Sequence, residues 1–328
     1  MVKFIGIVVF LILCLPRYAW AEQLDFSKKT TDEYVQFNYQ WLDQAQQTQS
    51  LSFAINKVII FDRFRNFKGY NALHAKKYVD QKIRQKLSQN PIDNVQTKFI
   101  GTGDNLQIEL KSDNQNTINQ AYKTITKLKQ GFMSEHLARN FYTQFVSYDN
   151  NVSIKPDHVR FAQTSVADFS VLKELILNKV SSQNVREVGD YVLGFVQSIP
   201  YSTLESRTTS TGAGFNPPLQ TLFQNQGDCD SKVTLTAAIY RALMPRMKMM
   251  LVFIDNHALL AINIPSKGNE LTITVDGLAY ILAEPTGPAM MRVGELTADS
   301  EFAIRNGRYY AEAFFAEPSA ESNRNSLN

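Results

Sequence analysis

The sequence predicts an α+β fold, and two observations carry that prediction. In the first half, runs with the two-residue period of a half-buried strand come in pairs, and each pair is followed by a stripe of helical period. In the second half, a helical stripe beginning near Cys229 leads into strand-like runs, two of them joined by the short turn Asp276-Gly277. The 328 residues suffice for two domains of ordinary size, and 44% hydrophobic with 11% aromatic residues marks a globular chain.

The chain opens with Lys3, an apolar stretch from Phe4 to Leu15, Pro16-Arg17 and the small-residue site Ala19-Trp20-Ala21. This is the pattern of a signal peptide over residues 1–21, so the expectation is an exported protein, periplasmic or secreted. The apolar run is shorter than the ~20 residues a bilayer span needs, so no stable membrane anchor is expected. Cys14 leaves with the leader, and Leu13 before it argues against a lipoprotein signal.

Residues 22–150 read as an N-terminal α+β domain. Val35, Phe37, Tyr39 and Trp41 alternate as on a strand, Leu51, Phe53 and Ile55 repeat the pattern, and Val58 to Phe61 could continue it. A helix is predicted from about Asn71 to Leu87, ending at Asn90-Pro91. Strands at Val95–Ile100 and Leu106–Leu110 flank a glycine-bearing hairpin loop, and a second helix runs from Thr117 to Lys129 with Gly131 as its stop. His74 and His136 lie in or near helices without a spaced ligand partner and read as surface residues. The polar stretch around Asn150, Asn151 and Pro156 reads as a linker, taken as 151–165, with His158 structural or solvent-exposed. Helices at Val166–Leu177 and Val185–Gln197 follow, then a long Ser/Thr/Gly loop over 202–216. Residues 317–328 read as a disordered tail.

Charge excludes one class of partner. Lys3 and Arg17 account for two of the 34 basic residues, so the processed chain has 32 against 31 acidic ones, which makes no case for nucleic acid. Locally, nine Lys and Arg between Lys57 and Lys86 face only Asp62 and Asp80. They suit an anionic partner or, more simply, the solvated face of a helix whose other side carries Leu73, Val79, Ile83 and Leu87. No metal-ligand spacing or phosphate-binding loop is present, and no cofactor is expected.

With the leader gone, Cys229 is the only thiol and cannot form an internal disulfide. It stands in Gly227-Asp228-Cys229-Asp230, ahead of the stripe Val233, Ala237, Tyr240 and Met244, hence at or near the N-terminus of a helix. The helix dipole there favours a thiolate, whereas Asp228 and Asp230 oppose it, so a cationic histidine is needed. His257 opens the strand after Met249–Ile254, and Glu284 ends the strand Leu278–Ala283 that follows Asp276-Gly277. Either Glu284 or Asp276 could orient the histidine, although Asp276 is first a turn residue. Asp228 and Asp230 make only a partial shell for calcium, which takes about 6 to 8 oxygens.

These residues resemble the transglutaminase-like cysteine peptidase superfamily, in its bacterial and archaeal secreted form. The likeness rests on Gly227-Asp228-Cys229-Asp230 heading a helix, His257 opening a strand and Glu284-Pro285-Thr286 ending another. It extends to Ile199-Pro200-Tyr201, to Pro218-Leu219-Gln220-Thr221-Leu222 and to Val293-Gly294-Glu295-Leu296, and so covers about Val166 to Leu296. Two departures are Glu284 where many members have aspartate, and Asn256 where glycine often precedes the histidine. The resemblance implies a papain/transglutaminase-like core over 166–316, in which a cysteine-bearing helix packs on an antiparallel sheet. It implies a Cys229-His257-Glu284 triad acting as nucleophile, general base and acid, and orienting carboxylate. The expected function is hydrolysis of an amide bond in a protein or peptide through a thioester. The Cys229 N–H is the first oxyanion donor, and Tyr201, Gln224 and Gln226 are candidates for the second. An amine-transferring crosslinking enzyme on the same triad, and a non-catalytic binding or assembly module, are the alternatives.

Overall fold

The computed structural model describes residues 20–314 apart from 103–105, 182–183, 207–209 and 211. Residues 1–19, which hold Cys14 and all but the last two residues of the expected leader, and the tail expected over 317–328 lie outside the described residues.

The first layer is an antiparallel sheet of β1 (Gln23–Thr30), β2 (Tyr34–Leu42) and β3 (Thr48–Asn56), in that order. The alternation from Val35 to Trp41 is the inner face of β2, paired with β3 so that Phe37 faces Phe53 and Tyr39 faces Leu51. β1 gives no strand signal because it is an edge strand with mostly exposed, polar positions. Val58 to Phe61 do not continue β3. Asn56 accepts a hydrogen bond from the Val58 N–H and caps α1 (Lys57–Asp62) instead.

α2 (Ala72–Gln89) buries Ala75, Val79, Ile83 and Leu87, while Leu73, expected on that stripe, is exposed. Within the basic stretch, Arg84 pairs with Asp80 and Arg63 reaches Asp168. β4 (Gln96–Ile100) and β5 (Gln107–Lys111) form the expected hairpin. α3 (Gln115–Arg139) runs through Gly131, its expected stop, because a single glycine inside a helix costs only about 1 kcal/mol relative to alanine, and it ends at Asn140. α2, α3 and the hairpin close a small core of their own around Val79, Ile83, Leu87 and Ile125.

The stretch expected as a linker is folded. β6 (Tyr142–Val146) pairs with β7 (Val152–Pro156), and Asp157 caps α4 (His158–Ser165). The polar run at Asp149–Asn151 is the turn of that hairpin, with Asn150 left-handed at φ 64°, and turns and linkers share a composition. The helix expected at Val166–Leu177 is a 3-10 turn, Val166–Phe169, followed by α5 (Ser170–Leu177). Next come α6 (Val185–Ser198), α7 (Pro218–Gln224) and α8 (Cys229–Leu243).

The second sheet contains β8 (Met249–Ile254), β9 (His257–Ile262), β10 (Thr272–Val275) and β11 (Leu278–Ala283), and after α9 (Ala298–Arg305) also β12 (Tyr310–Phe314). It is antiparallel, in the order β10-β11-β9-β8-β12. α8 packs against β8 and β9 on one face; Leu296, just before α9, and Ile304 of α9 help cover the other. The architecture is thus α+β with antiparallel sheets.

The boundary expected at residue 150 does not follow the cores. Val35, Phe37, Tyr39 and Trp41 of β2 pack with Tyr191 and Phe195 of α6, in one cluster that continues through Val233 and Ala237 of α8 to Leu260 of β9. The first sheet therefore belongs to the body that holds Cys229, and α2, α3, β4 and β5 form the separate layer. Among the described residues no helix is long and apolar enough to cross a membrane.

Candidate active site

α8 begins at Cys229 because Asp228 caps it. The Asp228 backbone is extended, and its Oδ1 accepts from both the N–H and the hydroxyl of Ser231. Gly227 lets the chain pass close beneath α7, since a Cβ there would lie 3.0 Å from Thr221 Cγ2 and 3.2 Å from Ser231 Cβ. Its N–H donates to Pro200 O at 3.2 Å, and Ser202 N–H donates to its carbonyl at 3.1 Å. The segment after α6 is thereby laced to the residues just before Cys229.

His257 is delivered by the turn Asp255-Asn256, across which Ile254 faces His257. Asn256 is left-handed at φ 55°, the conformation a glycine would take there without strain. His257 Nε2 lies 2.8 Å from Glu284 Oε1. Glu284 is buried at the end of β11, where Oε2 accepts from the Thr297 N–H at 3.0 Å and Oε1 from the Thr297 hydroxyl at 3.3 Å. Burial pushes this carboxyl up, but the His257 bond and charge and the Thr297 N–H outweigh it and hold it below its ordinary value. An ionised Glu284 fixes a proton on His257 Nε2 and leaves Nδ1 as the nitrogen for proton exchange. Asp276 stays a turn residue, left-handed at φ 50° beside Gly277.

Gln197 and Thr297 support this pair, and neither stands out in the sequence. The Gln197 amide donates to Glu284 O at 2.8 Å and to Met291 O at 3.1 Å, while its oxygen accepts from the Met291 N–H. Thr297 caps α9, so the signal available in the sequence was a capping residue after Glu284.

The half-buried thiol of Cys229 donates to Asp230 Oδ1 at 3.7 Å and to Asn256 O at 3.8 Å. Among the described residues, the His257 ring is not one of its hydrogen-bond partners. Burial, then the charges of Asp230 and Asp228, push the thiol up, so it rests protonated and the helix dipole is outweighed. Asp228 is itself pushed up to about 7, by burial and then by Asp230. Burial also raises Asp230, against the pull of Lys155, the Cys229 S–H and His257.

Behind Asp230 stands His158, which is neither solvent-exposed nor inert. It is wholly buried, with the rings of Phe215 and Phe253 at 4.9 and 5.2 Å. Lys155 Nζ is 3.5 Å from His158 Nδ1 and 2.6 Å from Glu312 Oε2, and His158 Nε2 is 3.5 Å from Asp230 Oδ2. An ammonium can only donate, so Nδ1 accepts and Nε2 carries the proton toward Asp230. Burial, then Lys155, hold this histidine well below its ordinary range and therefore neutral.

A cleft of about 770 Å³ opens beside the pair, walled by His257, Lys232, Tyr201, Gln197, Thr286 and Ala21 among others, while Cys229 is not one of the wall residues. Of the oxyanion candidates, Tyr201 lies on this wall and is exposed. Gln224 Oε1 accepts from Asn216 and from Gln226 Nε2, which ties both glutamines into the loop before α8. The Cys229 N–H, in the first turn of α8, has no acceptor within the helix. His74 and His136 meet in a different pocket of about 480 Å³ between α2 and α3. Among the described residues, the one trio of metal-ligating type is Asp228, Cys229 and Asp230, with ligand atoms within 4.8 Å of one another. Asp228 Oδ1 is already engaged by Ser231. No protein-family model, no curated protein and no solved structure matches the chain.

Proposed function

We propose that the protein is an exported, transglutaminase-like cysteine peptidase that hydrolyses an amide bond in a protein or peptide. Cys229 would be its nucleophile, His257 its base and acid, and Glu284 the carboxylate that orients the ring, on a papain/transglutaminase-like core. The observation that carries this reading is the 2.8 Å His257–Glu284 bond at the ends of β9 and β11, next to the helix N-terminus that bears the thiol. His257 Nδ1 takes the thiol proton and the sulfur attacks the carbonyl carbon. The C–N bond then breaks as Nδ1–H protonates the departing amine, leaving a thioester. Water gives a proton to Nδ1, adds to the thioester, and the C–S bond breaks to release the acid and regenerate the thiol. The Cys229 N–H is placed to donate to the oxyanion.

A second reading, a non-catalytic binding module, is favoured by one observation, the contact of the Cys229 thiol with Asp230 Oδ1, where burial and both aspartates oppose its ionisation. Alkylation of Cys229 by iodoacetamide across about pH 4 to 9, followed by peptide mass spectrometry, separates the two. Reactivity that persists well below the ordinary thiol pKa of about 8.5, and is lost in His257→Ala, supports the peptidase. A curve that rises only near or above that value, unchanged in His257→Ala, supports the module. If the peptidase reading holds, incorporation of a labelled amine into candidate substrates would identify a crosslinking transferase.

A further inference from the structure

Lys232 lies one turn beyond Cys229 on α8, at a spacing that puts both on the same side of the helix. It is 1% exposed, deeper than Lys155 at 8%. Its Nζ donates to Ile199 O and, at 3.5 Å, to Gln197 O, and the residue walls the cleft together with His257 and Tyr201. A buried ammonium held only by neutral carbonyls carries a large desolvation cost unless a negative group answers it.

The charges around the thiol show which group does. Glu284 answers His257, and Glu312 answers Lys155. Among the described residues Lys232 makes no ion pair, and the negative groups that act on it are Asp228 and, when ionised, Cys229 itself. On the other side of the balance, a Cys229 thiolate would sit between Asp228 and Asp230, while His257 is already engaged by Glu284.

Resting on the reading of Cys229 as nucleophile, we propose that Lys232 is a positioning residue for it. The Lys232 ammonium, clamped by the carbonyls of residues 197 and 199, supplies the positive charge that lets the thiolate form between two aspartates. The same bonds fix the cleft wall from Gln197 to Tyr201. Burial pulls the amine down to about 7, while Asp228 and an ionised Cys229 act in the opposite direction, so ammonium and thiolate each favour the charged state of the other. The titratable groups around Lys232 are Asp228 and Cys229 from α8, His257 from β9, and Tyr201 and Glu22 across the cleft.

The test is the pH profile of Cys229 alkylation in the full chain, read at that residue by mass spectrometry, for the native protein, Lys232→Met and Lys232→Gln. Met fills the space without donors, whereas Gln keeps two donors and drops the charge. The proposal expects native reactivity below the ordinary thiol range and, in both variants, a midpoint higher by at least about one pH unit, a tenfold loss at fixed pH. If Lys232→Met does not fold, Lys232→Gln alone decides the matter. Native reactivity at low pH that is unchanged in a folded neutral variant overturns the role of Lys232 and leaves the triad standing. An ordinary thiol in the native chain that His257→Ala does not alter overturns the triad reading, and the role of Lys232 with it.

Discussion

The Cys229 region contains two histidines, and both carry their proton on Nε2, yet their surroundings give them opposite characters. His257 has a carboxylate at that nitrogen, lies on the cleft wall and keeps Nδ1 for exchange. His158 has its Nδ1 taken by the Lys155 ammonium, is sealed between Phe215 and Phe253, and leaves its Nε2 3.5 Å from Asp230 Oδ2 without a hydrogen bond. The difference shows that a histidine near a thiol is qualified as a base by what occupies its second nitrogen. Proximity to the cysteine does not qualify it. His158 instead lies behind Asp230 beside the Lys155–Glu312 pair, and of these groups it is Lys155 whose charge acts on Asp230.

The largest effect should come from His257→Gln, which we expect to lower turnover about 10²- to 10⁴-fold, the contribution usual for a positioned acid–base group, with Tm unchanged. His158→Phe keeps a ring between its neighbours and should leave turnover within a few-fold. Equal losses in the two variants, measured on one peptide substrate, would break the comparison.

Next in size is His158→Ala. Removing a fully enclosed ring should cost about 2 to 4 kcal/mol of stability in urea denaturation, through lost packing and a cavity. A loss much smaller than that would mean the ring is not packed as described.

The pH dependence is more modest and its sign is fixed. His158 is held below its unfolded value, so between the two values the unfolded chain binds a proton that the native one refuses. Stability from this group is full above about pH 6.5 and declines as the pH falls below it. Glu284 acts in a lower window, because its depressed carboxyl loses its contribution as the pH falls through the carboxylate range. Thermal melts should therefore show Tm dropping from neutral toward weakly acid pH, and His158→Phe should flatten that part of the curve. A slope unchanged in the variant would assign the drop to other groups.

The smallest effect is expected for Asp276→Asn. Asparagine tolerates the left-handed turn position equally well, so stability should change by less than about 0.5 kcal/mol and turnover should be unaffected. A marked loss of turnover would restore Asp276 as a rival to Glu284.

The two histidines also show what the sequence could and could not reveal. His257 was legible because it follows a turn and opens a continuous apolar run, and Glu284 because a strand ends on it and Pro285 follows. For His158 the sequence left structural and solvent-exposed readings open, because it follows Pro156 and a polar stretch that is in fact a hairpin turn. Its burial arises from Phe215 and Phe253, far away in the chain, which no local pattern encodes. Lys232 was hidden for a related reason, since a lysine on a helix is ordinarily solvated and only the packing of α6 against α8 encloses this one. The strand period of β2 was clear, but its partner face on α6 was not, so the first sheet was assigned to a separate domain.

The chain has two tryptophans, and the fold places them in contrasting settings. Trp41 is sealed in the main core against Tyr191 and Phe195, whereas Trp20 is 72% exposed where it bridges to Ala289 beside the cleft. Indole emission shifts to the red in water and to the blue in an apolar cage, so the intact chain should give a mixed spectrum. Cleavage after Ala21 would remove the red component alone, and unfolding would shift the blue one. The two indoles thus report separately, without a label, on the strand-like contact at Trp20 and on the integrity of the core.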